Sequence, residues 1–262
     1  MFFLRRHSGE KLKASILRGC TKRRRVVLSF FSAFFMVLGA YCYNSVQKAP
    51  DSSQPSSDLE TVLRQMDSAA AQFRNAEADF VWDQYQKVVD ETDTQKGKIY
   101  FRRTGKGGDT QMALNVTSPE QKTVLFADGK LRMYQPKIDQ VNEYDVSKNR
   151  DEVETFLVLG FGGRGHDLQQ QFDVKFDGME LVNDVQTAKL ELTPKAAKVR
   201  NMFDRIIIWE DVQKGISLKQ QAFEPSGDYR IATYSNIKVN SKVPDDAFKL
   251  HTSGHTKTVK GT

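Results

Sequence analysis

The sequence predicts a mainly β protein of the α+β class, built on one large curved antiparallel sheet whose concave face is covered by helices. From residue 76 onward, short runs with period-two alternation follow one another and are rich in Val, Ile, Phe and Tyr. Gly, Asp and Pro separate these runs, and connections this short imply antiparallel neighbours. Only two or three segments have helical periodicity, so a single sheet with a few covering helices is the economical architecture.

The first 42 residues have the three-part pattern of an export signal. A basic run at 22–25 precedes an apolar run at 26–40, which ends in the small residues Gly39 and Ala40. The apolar run is shorter than the roughly 20 residues of a membrane span, but continuation to residue 46 would make it an uncleaved N-terminal anchor. In both alternatives the basic flank stays in the cytoplasm. We therefore expect a periplasmic protein, either released by cleavage or anchored in the inner membrane by residues 26–46.

The formal net charge of +6 arises in this leader. The leader holds nine of the 39 basic residues and one of the 33 acidic residues, so residues 43–262 carry 30 basic against 32 acidic residues, a net charge of −2. A domain without excess positive charge is not expected to bind nucleic acid. Both cysteines, Cys20 and Cys42, also lie in the leader. A disulfide framework or a cysteine-based zinc site is thereby excluded from the domain.

A linker and an amphipathic helix follow the leader. Residues 43–57 are rich in Ser and Pro, a composition typical of a disordered tether. Ser57 to Glu60 fits a capping box, and apolar residues then recur at three- and four-residue spacing as far as Phe73. Further helical stretches are predicted at 151–159 and, after a proline, near 195–201.

Twelve strands are predicted within the domain, which we place at residues 58–250. Asp128-Gly129 and Asp177-Gly178 are the strongest hairpin-turn signals. The strands are expected near residues 77–89, 96–103, 110–117, 122–127, 130–135, 139–145, 171–176, 179–183, 187–193, 203–211, 215–223 and 229–239. Residues 251–262 are expected to form a disordered tail.

The domain has no pattern that indicates catalysis, a cofactor or a metal. The glycine-rich run at 160–165 formally matches a dinucleotide-binding motif, but it follows a predicted helix instead of a strand, so we interpret it as a helix end with a loop. His166 is interpreted as a loop histidine, because the domain has no nucleophile motif to accompany it. His251 and His255 fall in the predicted tail. The sequence therefore predicts a protein that is not an enzyme and has no cofactor.

Several sequence blocks occur in an order that is typical of one family. They are residues 97–103, 117–120, 128–136 with 139–141, an apolar helical stretch at 155–160, 192–195 and 243–248. Behind an export signal, this ordered set resembles the periplasmic outer-membrane lipoprotein carriers (LolA-like proteins). The resemblance covers about residues 59–250.

The resemblance implies an incomplete β-barrel whose apolar hollow is covered by helices and accepts the acyl chains of a lipoprotein. It also implies that Arg103 hydrogen-bonds to the helical lid and holds the empty cavity closed. The implied partners are an acylated lipoprotein or lipid, an inner-membrane loading complex and an outer-membrane acceptor, with the carrier itself a monomer.

The energetics of an acyl chain independently favour a cavity. A chain of ~16 carbons would cost on the order of 12 kcal/mol to expose to water, so a carrier must offer apolar surface and hide it when empty. Thirteen large apolar residues are candidates for the lining, although they could equally form the core between sheet and helix. They are Phe80, Trp82, Tyr100, Met112, Leu114, Leu125, Met133, Phe156, Leu157, Phe176, Ile206, Ile208 and Phe223.

Two functional hypotheses follow, together with a less favoured one. The first is an exported, non-enzymatic carrier that shuttles lipoprotein or lipid acyl chains across the periplasm to the outer membrane. The second is a membrane-anchored envelope sensor or docking module that uses the same curved sheet to bind peptide or lipid. A hydrolase with an unrecognised site is the least favoured.

Overall fold

The computed structural model describes residues 54–104, 109–147 and 159–261. It contains three α-helices, namely α1 (Gln54–Gln72), α2 (Gly165–Gln171) and α3 (Ala197–Arg200), and short 3-10 helices at Pro136–Ile138 and Asp245–Phe248. The strands are β1 (Asn75–Gln86), β2 (Glu91–Thr104), β3 (Asp109–Ser118), β4 (Lys122–Ala127), β5 (Lys130–Gln135), β6 (Gln140–Asp145), β7 (Phe172–Val182), β8 (Val185–Pro194), β9 (Arg205–Asp211), β10 (Ile216–Phe223), β11 (Tyr229–Val239) and β12 (Lys257–Gly261).

All twelve strands form one sheet, in the order β12-β6-β5-β4-β3-β2-β1-β11-β10-β9-β8-β7. Two runs of antiparallel hairpins, β1 to β6 and β7 to β11, are joined where β1 pairs with β11. The sheet is open, with β12 and β7 at its two edges, which confirms the predicted mainly β class and the incomplete barrel. The prediction that the sheet is antiparallel throughout is wrong at one edge, because β12 runs parallel to β6.

The Asp177-Gly178 signal was predicted to separate two strands, and that prediction is wrong. Both predicted strands belong to β7, and Gly178 adopts a φ of +97° where the pairing with β8 is irregular. The hairpin turn instead lies at Asn183 and Asp184, whose φ angles of 50° and 61° suit a two-residue turn between Val182 and Val185. A glycine in a strand can thus mark a bulge as well as a turn.

The region predicted as a disordered tail contributes β12, which pairs with β6 over residues 257–261. Asp139 anchors the segment that leads into β12, because its carboxylate accepts hydrogen bonds from the hydroxyls of Ser253 and Thr256, each at 2.6 Å. The amide of Lys257 also donates to the Asp139 carbonyl at 3.0 Å. These partners are more than a hundred residues apart, so composition alone does not reveal them.

The helices agree only in part with the sequence analysis. The structure has α1 and α3 where helices were predicted, whereas nearly all of the helix predicted at 151–159 lies outside the described residues. Helix α2 begins at Gly165, inside the run that was interpreted as a loop. A Cβ at Gly165 would lie 2.5 Å from the Leu63 carbonyl oxygen, so glycine allows α2 to approach α1 closely. No helix among the described residues is both long and apolar enough to span a membrane.

Both faces of the sheet are partly covered. Leu63 and Met66 of α1 are fully buried over the β7–β9 end, where each contributes about 1.5–3 kcal/mol of burial free energy. On the opposite face, Phe248 of the second 3-10 helix packs in a smaller cluster with Ala113 and Leu125. The concave face therefore carries most of the core, while the convex face has a cap of its own.

Substitution of Gly97 tests how closely β2 approaches β3. A Cβ at this position would lie 1.9 Å from the Asn115 carbonyl oxygen, and that backbone cannot move away without disturbing the pairing. We expect Gly97→Ala to lower the free energy of unfolding in urea by about 1–3 kcal/mol. Gly254→Ala is the control, because no atom lies within 4 Å of its added Cβ. Equal stability of the two variants would contradict the packing described here.

Candidate functional site

A cavity of about 340 Å³ lies on the concave face of the sheet. Its walls come mainly from the strands β1 to β5, with further residues from β10, β11 and the segment at 159–161. Almost all of its lining residues are apolar: Phe80, Trp82, Ile99, Phe101, Met112, Leu114, Lys122, Val124, Leu131, Met133, Leu159, Phe161, Gln220 and Tyr234. A volume of this size falls in the range of small-molecule sites, about 300–1,000 Å³.

Strand register places these side chains on one face. Ile99 pairs with Leu114, Leu114 with Val124, and Val124 with Met133, so one row of four cross-strand partners runs along the cavity. Side chains of directly paired residues point to the same face of a sheet. The continuous apolar wall therefore follows from the register of β2 to β5.

The side chains of the neighbouring row point to the opposite face of the sheet. Tyr100 pairs with Ala113, and Ala113 with Leu125, which places all three on the convex face. Tyr100 packs edge-on against Phe248 with ring centroids 6.5 Å apart, and Leu125 is buried in the same cluster. The prediction that Tyr100 and Leu125 line the cavity is therefore wrong, because alternation places their neighbours Ile99, Phe101 and Val124 on the cavity side instead.

A second compartment of about 140 Å³ adjoins the main cavity and shares Trp82, Leu159 and Gln220 with it. Ile206 of β9 lines this smaller compartment. Because the two volumes have three lining residues in common, we treat them as adjoining parts of one apolar trough across the concave face.

Only some of the thirteen predicted lining residues line either compartment. Five of the thirteen line the main cavity and Ile206 lines the smaller one, whereas Ile208 and Phe176 belong to the core beneath α1. Phe223 lies under the guanidinium of Arg205, 4.0 Å from its ring centroid, and lines neither compartment. Phe156 and Leu157 lie outside the described residues.

The segment 159–162 forms one wall of the cavity and is tied to β10. Phe161 stacks on Phe101 at 4.4 Å between ring centroids and meets Tyr234 edge-on at 4.9 Å. The Gln220 side-chain amide donates to the Leu159 carbonyl at 2.7 Å. The backbone amide of Ser217 donates to the Gly160 carbonyl at 2.8 Å, and that of Gly162 to the Gly215 carbonyl at 2.7 Å. Aromatic packing and hydrogen bonds together thus hold this segment over the sheet.

Arg103 of β2 connects this segment to the end of α1. Its guanidinium donates to the Ala70 carbonyl at 2.8 Å, to the Phe73 carbonyl at 3.5 Å and, through Nη2, to the Gly162 carbonyl. The side chain is half-buried, and burial lowers the pKa of Arg103. One cation therefore bonds carbonyl groups of two separate covering elements from the sheet below.

A second polar link joins α1 to α2. His166 lies in α2 and not in a loop, with Nδ1 bonded to a carboxylate oxygen of Asp67 and Nε2 3.3 Å from Glu60 Oε2. The hydrogen bonds to Asp67 and then Glu60 raise the pKa of His166. The pair of carboxylates favours the protonated ring, which suits a structural tie between the helices.

Glu210 is a buried acid that the sequence analysis did not single out. The side chain is fully buried on β9, and the Ser217 hydroxyl donates to Oε2 at 2.7 Å. Burial raises the pKa of Glu210 to about 8, because the charged form would lose its hydration. Within the part of the chain that the structure describes, no group of three or more His, Cys, Asp or Glu residues is placed to hold a metal ion.

The buried acid makes stability depend on pH. An unfolded chain ionises Glu210 above its ordinary pKa of 4.5, whereas the folded protein retains the proton up to about pH 8. The stabilisation due to this proton is complete below pH 4.5 and is lost as pH rises through about 8. We expect the free energy of unfolding of Glu210→Gln, relative to wild type, to rise across this window by up to about 1.4 kcal/mol per pH unit.

Urea unfolding at several pH values measures this difference. Glu91→Gln, at an exposed position of β2, controls for the loss of one carboxylate. A difference between Glu210→Gln and wild type that does not change between pH 4.5 and 8 would show that Glu210 is ionised in the folded protein.

This chain resembles several solved structures at low sequence identity. A search of curated proteins found no significant sequence match. Among solved structures, an uncharacterized conserved protein from Thermus thermophilus matches with 9% identity and a TM-score of 0.50, over 78% of this chain and 99% of its own. The MucA/MucB complex of Pseudomonas aeruginosa matches with 15% identity and a TM-score of 0.45, over 74% of this chain and 61% of the matched chain. A LolA superfamily protein from Nitrosomonas europaea matches with 12% identity and a TM-score of 0.37, over 73% and 97%.

The sequence model of one family provides the decisive match. It describes the outer membrane lipoprotein carrier protein LolA and matches residues 71–251. The matched range begins at the end of α1 and includes eleven of the twelve strands, both compartments and Arg103. Because the match covers well over half of the sequence, the chain belongs to the LolA family of outer membrane lipoprotein carrier proteins.

Proposed function

We propose that this protein is an exported, non-enzymatic carrier that binds acyl chains of lipoproteins or lipids in the trough on the concave face. The carrier would shuttle its cargo across the periplasm, from a loading complex at the inner membrane to an acceptor at the outer membrane. The observation that carries the proposal is an apolar cavity of about 340 Å³ in which Lys122 is the only charged residue of the described lining. Family membership and the export-signal pattern of the first 42 residues support it.

The physical role of the cavity follows from the cost of exposing an acyl chain. Each CH₂ group gains about 0.8 kcal/mol on leaving water, so a lined trough supplies the driving force for uptake. An empty trough must be hidden from water for the same reason. Segment 159–162 would serve this purpose, because Leu159 and Phe161 belong to the lining and Phe161 stacks on Phe101.

Arg103 is proposed to regulate access to the trough. Its carbonyl partners lie on α1 and on segment 159–162, so moving either element away from the sheet breaks charge-assisted hydrogen bonds, each worth about 1.5–3 kcal/mol. Cargo that displaces these elements must compensate for that loss. The closed empty state is thereby stabilised, and release of the cargo is favoured.

Substitution of Arg103 tests this role. In Arg103→Leu, cargo no longer has to break these bonds, so we expect affinity for an acyl probe to rise at least about tenfold and transfer to an acceptor to slow. Arg102→Leu is the matched control. The adjacent Arg102 bonds Gln111 at 2.7 Å and lies 4.1 Å from the Phe248 ring centroid, on the convex face. Unchanged affinity and transfer in a folded Arg103→Leu would refute the proposed lock.

A fluorescent fatty acid tests the carrier function itself. We expect binding of about one probe per protein and displacement by an acylated peptide, but not by the same peptide without its acyl chain. Met133→Gln places a polar amide in the cavity wall and should weaken binding about tenfold. Met179→Gln makes the same change at a residue that is 47% exposed on β7 and should leave binding unchanged.

The competition experiment also separates the two main hypotheses. Equal displacement by the acylated and unacylated peptides would contradict an acyl carrier and favour the docking module. Binding that Met133→Gln and Met179→Gln affect equally would show that the probe does not enter the main cavity.

A further inference from the structure

We propose that Arg230 forms a headgroup site for an anionic amphiphile, whose carboxylate or phosphate binds the guanidinium while its alkyl chain extends past Trp82 into the main cavity. This inference rests on the proposed carrier function and specifies the class of cargo. It assigns a polar end and an apolar end to the trough.

The position of Arg230 in the sheet is the first observation. Arg230 of β11 pairs with Ala222 of β10, which pairs with Ile206 of β9, so all three belong to one row on the concave face. That row lines the smaller compartment. The next row toward the main cavity contains Trp82 and Gln220, which both compartments share. An alkyl chain can therefore run from Arg230 to the main cavity along adjacent rows.

The connection to the surface is the second observation. A hollow of about 360 Å³ lies beside the smaller compartment, and the two have Phe203 and Arg230 in common. Asn201, Glu224 and Ser226 also line this hollow, so its walls offer polar groups and access to water. A charged headgroup at Arg230 would remain partly hydrated there, while the chain behind it lies among apolar residues. That arrangement fits an amphiphile better than a purely apolar ligand.

The incomplete bonding of Arg230 is the third observation. Its Nε is buried and has no hydrogen-bond partner among the described residues. Nη2 lies 3.3 Å from Glu224 Oε1, and the guanidinium lies 5.1 Å from the Phe203 ring centroid. A buried donor without a partner costs free energy that an incoming acceptor recovers. Arginine binds carboxylate and phosphate groups through paired N–H donors, which makes an anion the fitting acceptor.

Two other charged residues, Glu224 and Lys122, affect where an anionic headgroup would bind. Glu224 already faces Arg230, so an anion must share the guanidinium with this carboxylate. Lys122 lines the main cavity, and a headgroup held there would reverse the direction of the chain. Arg230 is favoured because it adjoins the surface hollow and has a buried donor available, whereas Lys122 can move its ammonium to water on a flexible stem.

Binding of four dodecyl amphiphiles to the full-length protein tests the proposal. Laurate and dodecyl phosphate carry the two anionic headgroups, dodecanol is neutral, and dodecyltrimethylammonium is cationic. By calorimetry below their micellar concentrations, we expect at least one anion to bind about tenfold more tightly than dodecanol, which equals about 1.4 kcal/mol. Comparison of laurate with dodecyl phosphate distinguishes a fatty acid from a phosphate-bearing lipid as the source of the headgroup.

Single-residue variants identify the residue that is responsible for the preference for anionic amphiphiles. Arg230→Gln should abolish the anion preference and leave dodecanol binding unchanged, whereas Glu224→Gln should strengthen anion binding several-fold by removing the competing carboxylate. Arg205→Gln is the matched control, because Arg205 also lies over an aromatic ring and near a carboxylate, Glu191 at 3.7 Å, yet lines neither compartment.

Several outcomes would overturn the inference. They are equal binding of all four amphiphiles, preference for the cation, and a preference that survives Arg230→Gln but disappears in Lys122→Gln. Tight dodecanol binding without anion preference would reject the headgroup site and leave the carrier function intact. Failure of every amphiphile to bind would instead reject the carrier function.

Discussion

An open sheet of twelve strands must keep water away from a wide concave face, and the rest of this structure depends on that constraint. Helix α1 buries Leu63 and Met66 over the β7–β9 end, and Phe161 of segment 159–162 packs over the middle. Phe161 and the row from Ile99 to Met133 line the main cavity together. The cavity is the apolar space that remains between the sheet and the segment that covers it.

Hydrogen bonds at the seam between sheet and cover determine how firmly the cover is held. Arg103 bonds carbonyls of α1 and segment 159–162, and Gln220 bonds the Leu159 carbonyl. His166 links α2 to α1. Such bonds are directional and individually modest, typically about 0.5–3 kcal/mol. Backbone hydrogen bonds from Ser217 to Gly160 and from Gly162 to Gly215 add to these side-chain contacts.

The polar groups that line the trough bear on the kind of cargo that it can bind. The main cavity presents Gln220 and Lys122 among apolar residues, while the smaller compartment ends at Arg230 and opens toward a polar hollow. Burying polar side chains on an apolar wall has a free-energy cost unless something pairs with them. An amphiphile would satisfy both kinds of surface at once, and lipoprotein acyl groups would use the apolar part alone. The headgroup site that we propose at Arg230 would distinguish between these cargoes.

Much of the fold was readable from local patterns. Period-two runs located the strands β1 to β6 and β8 to β11 because each strand has one buried face, and the spacing of apolar residues located α1. The two strands predicted within β7 were the exception, because a glycine bulge and a glycine turn have the same local composition. The ordered motifs pointed to the family that the sequence model identifies, and to Arg103, whose carbonyl contacts the structure shows.

The tertiary structure decided what depends on partners far apart in the chain. Alternation shows that Ile99 and Tyr100 face opposite sides, but only the pairing of β2 with β3 and the cap at Phe248 show which side is the cavity. The docking of β12 through Asp139 and the bonding of Arg230 are equally non-local. By itself the sequence determined ten of the twelve strands and the helix α1, because these follow from local periodicity, and its ordered motifs pointed to the family. Strand register determined which apolar residues line the cavity and which face away from it, because register depends on contacts between segments that are distant in the chain.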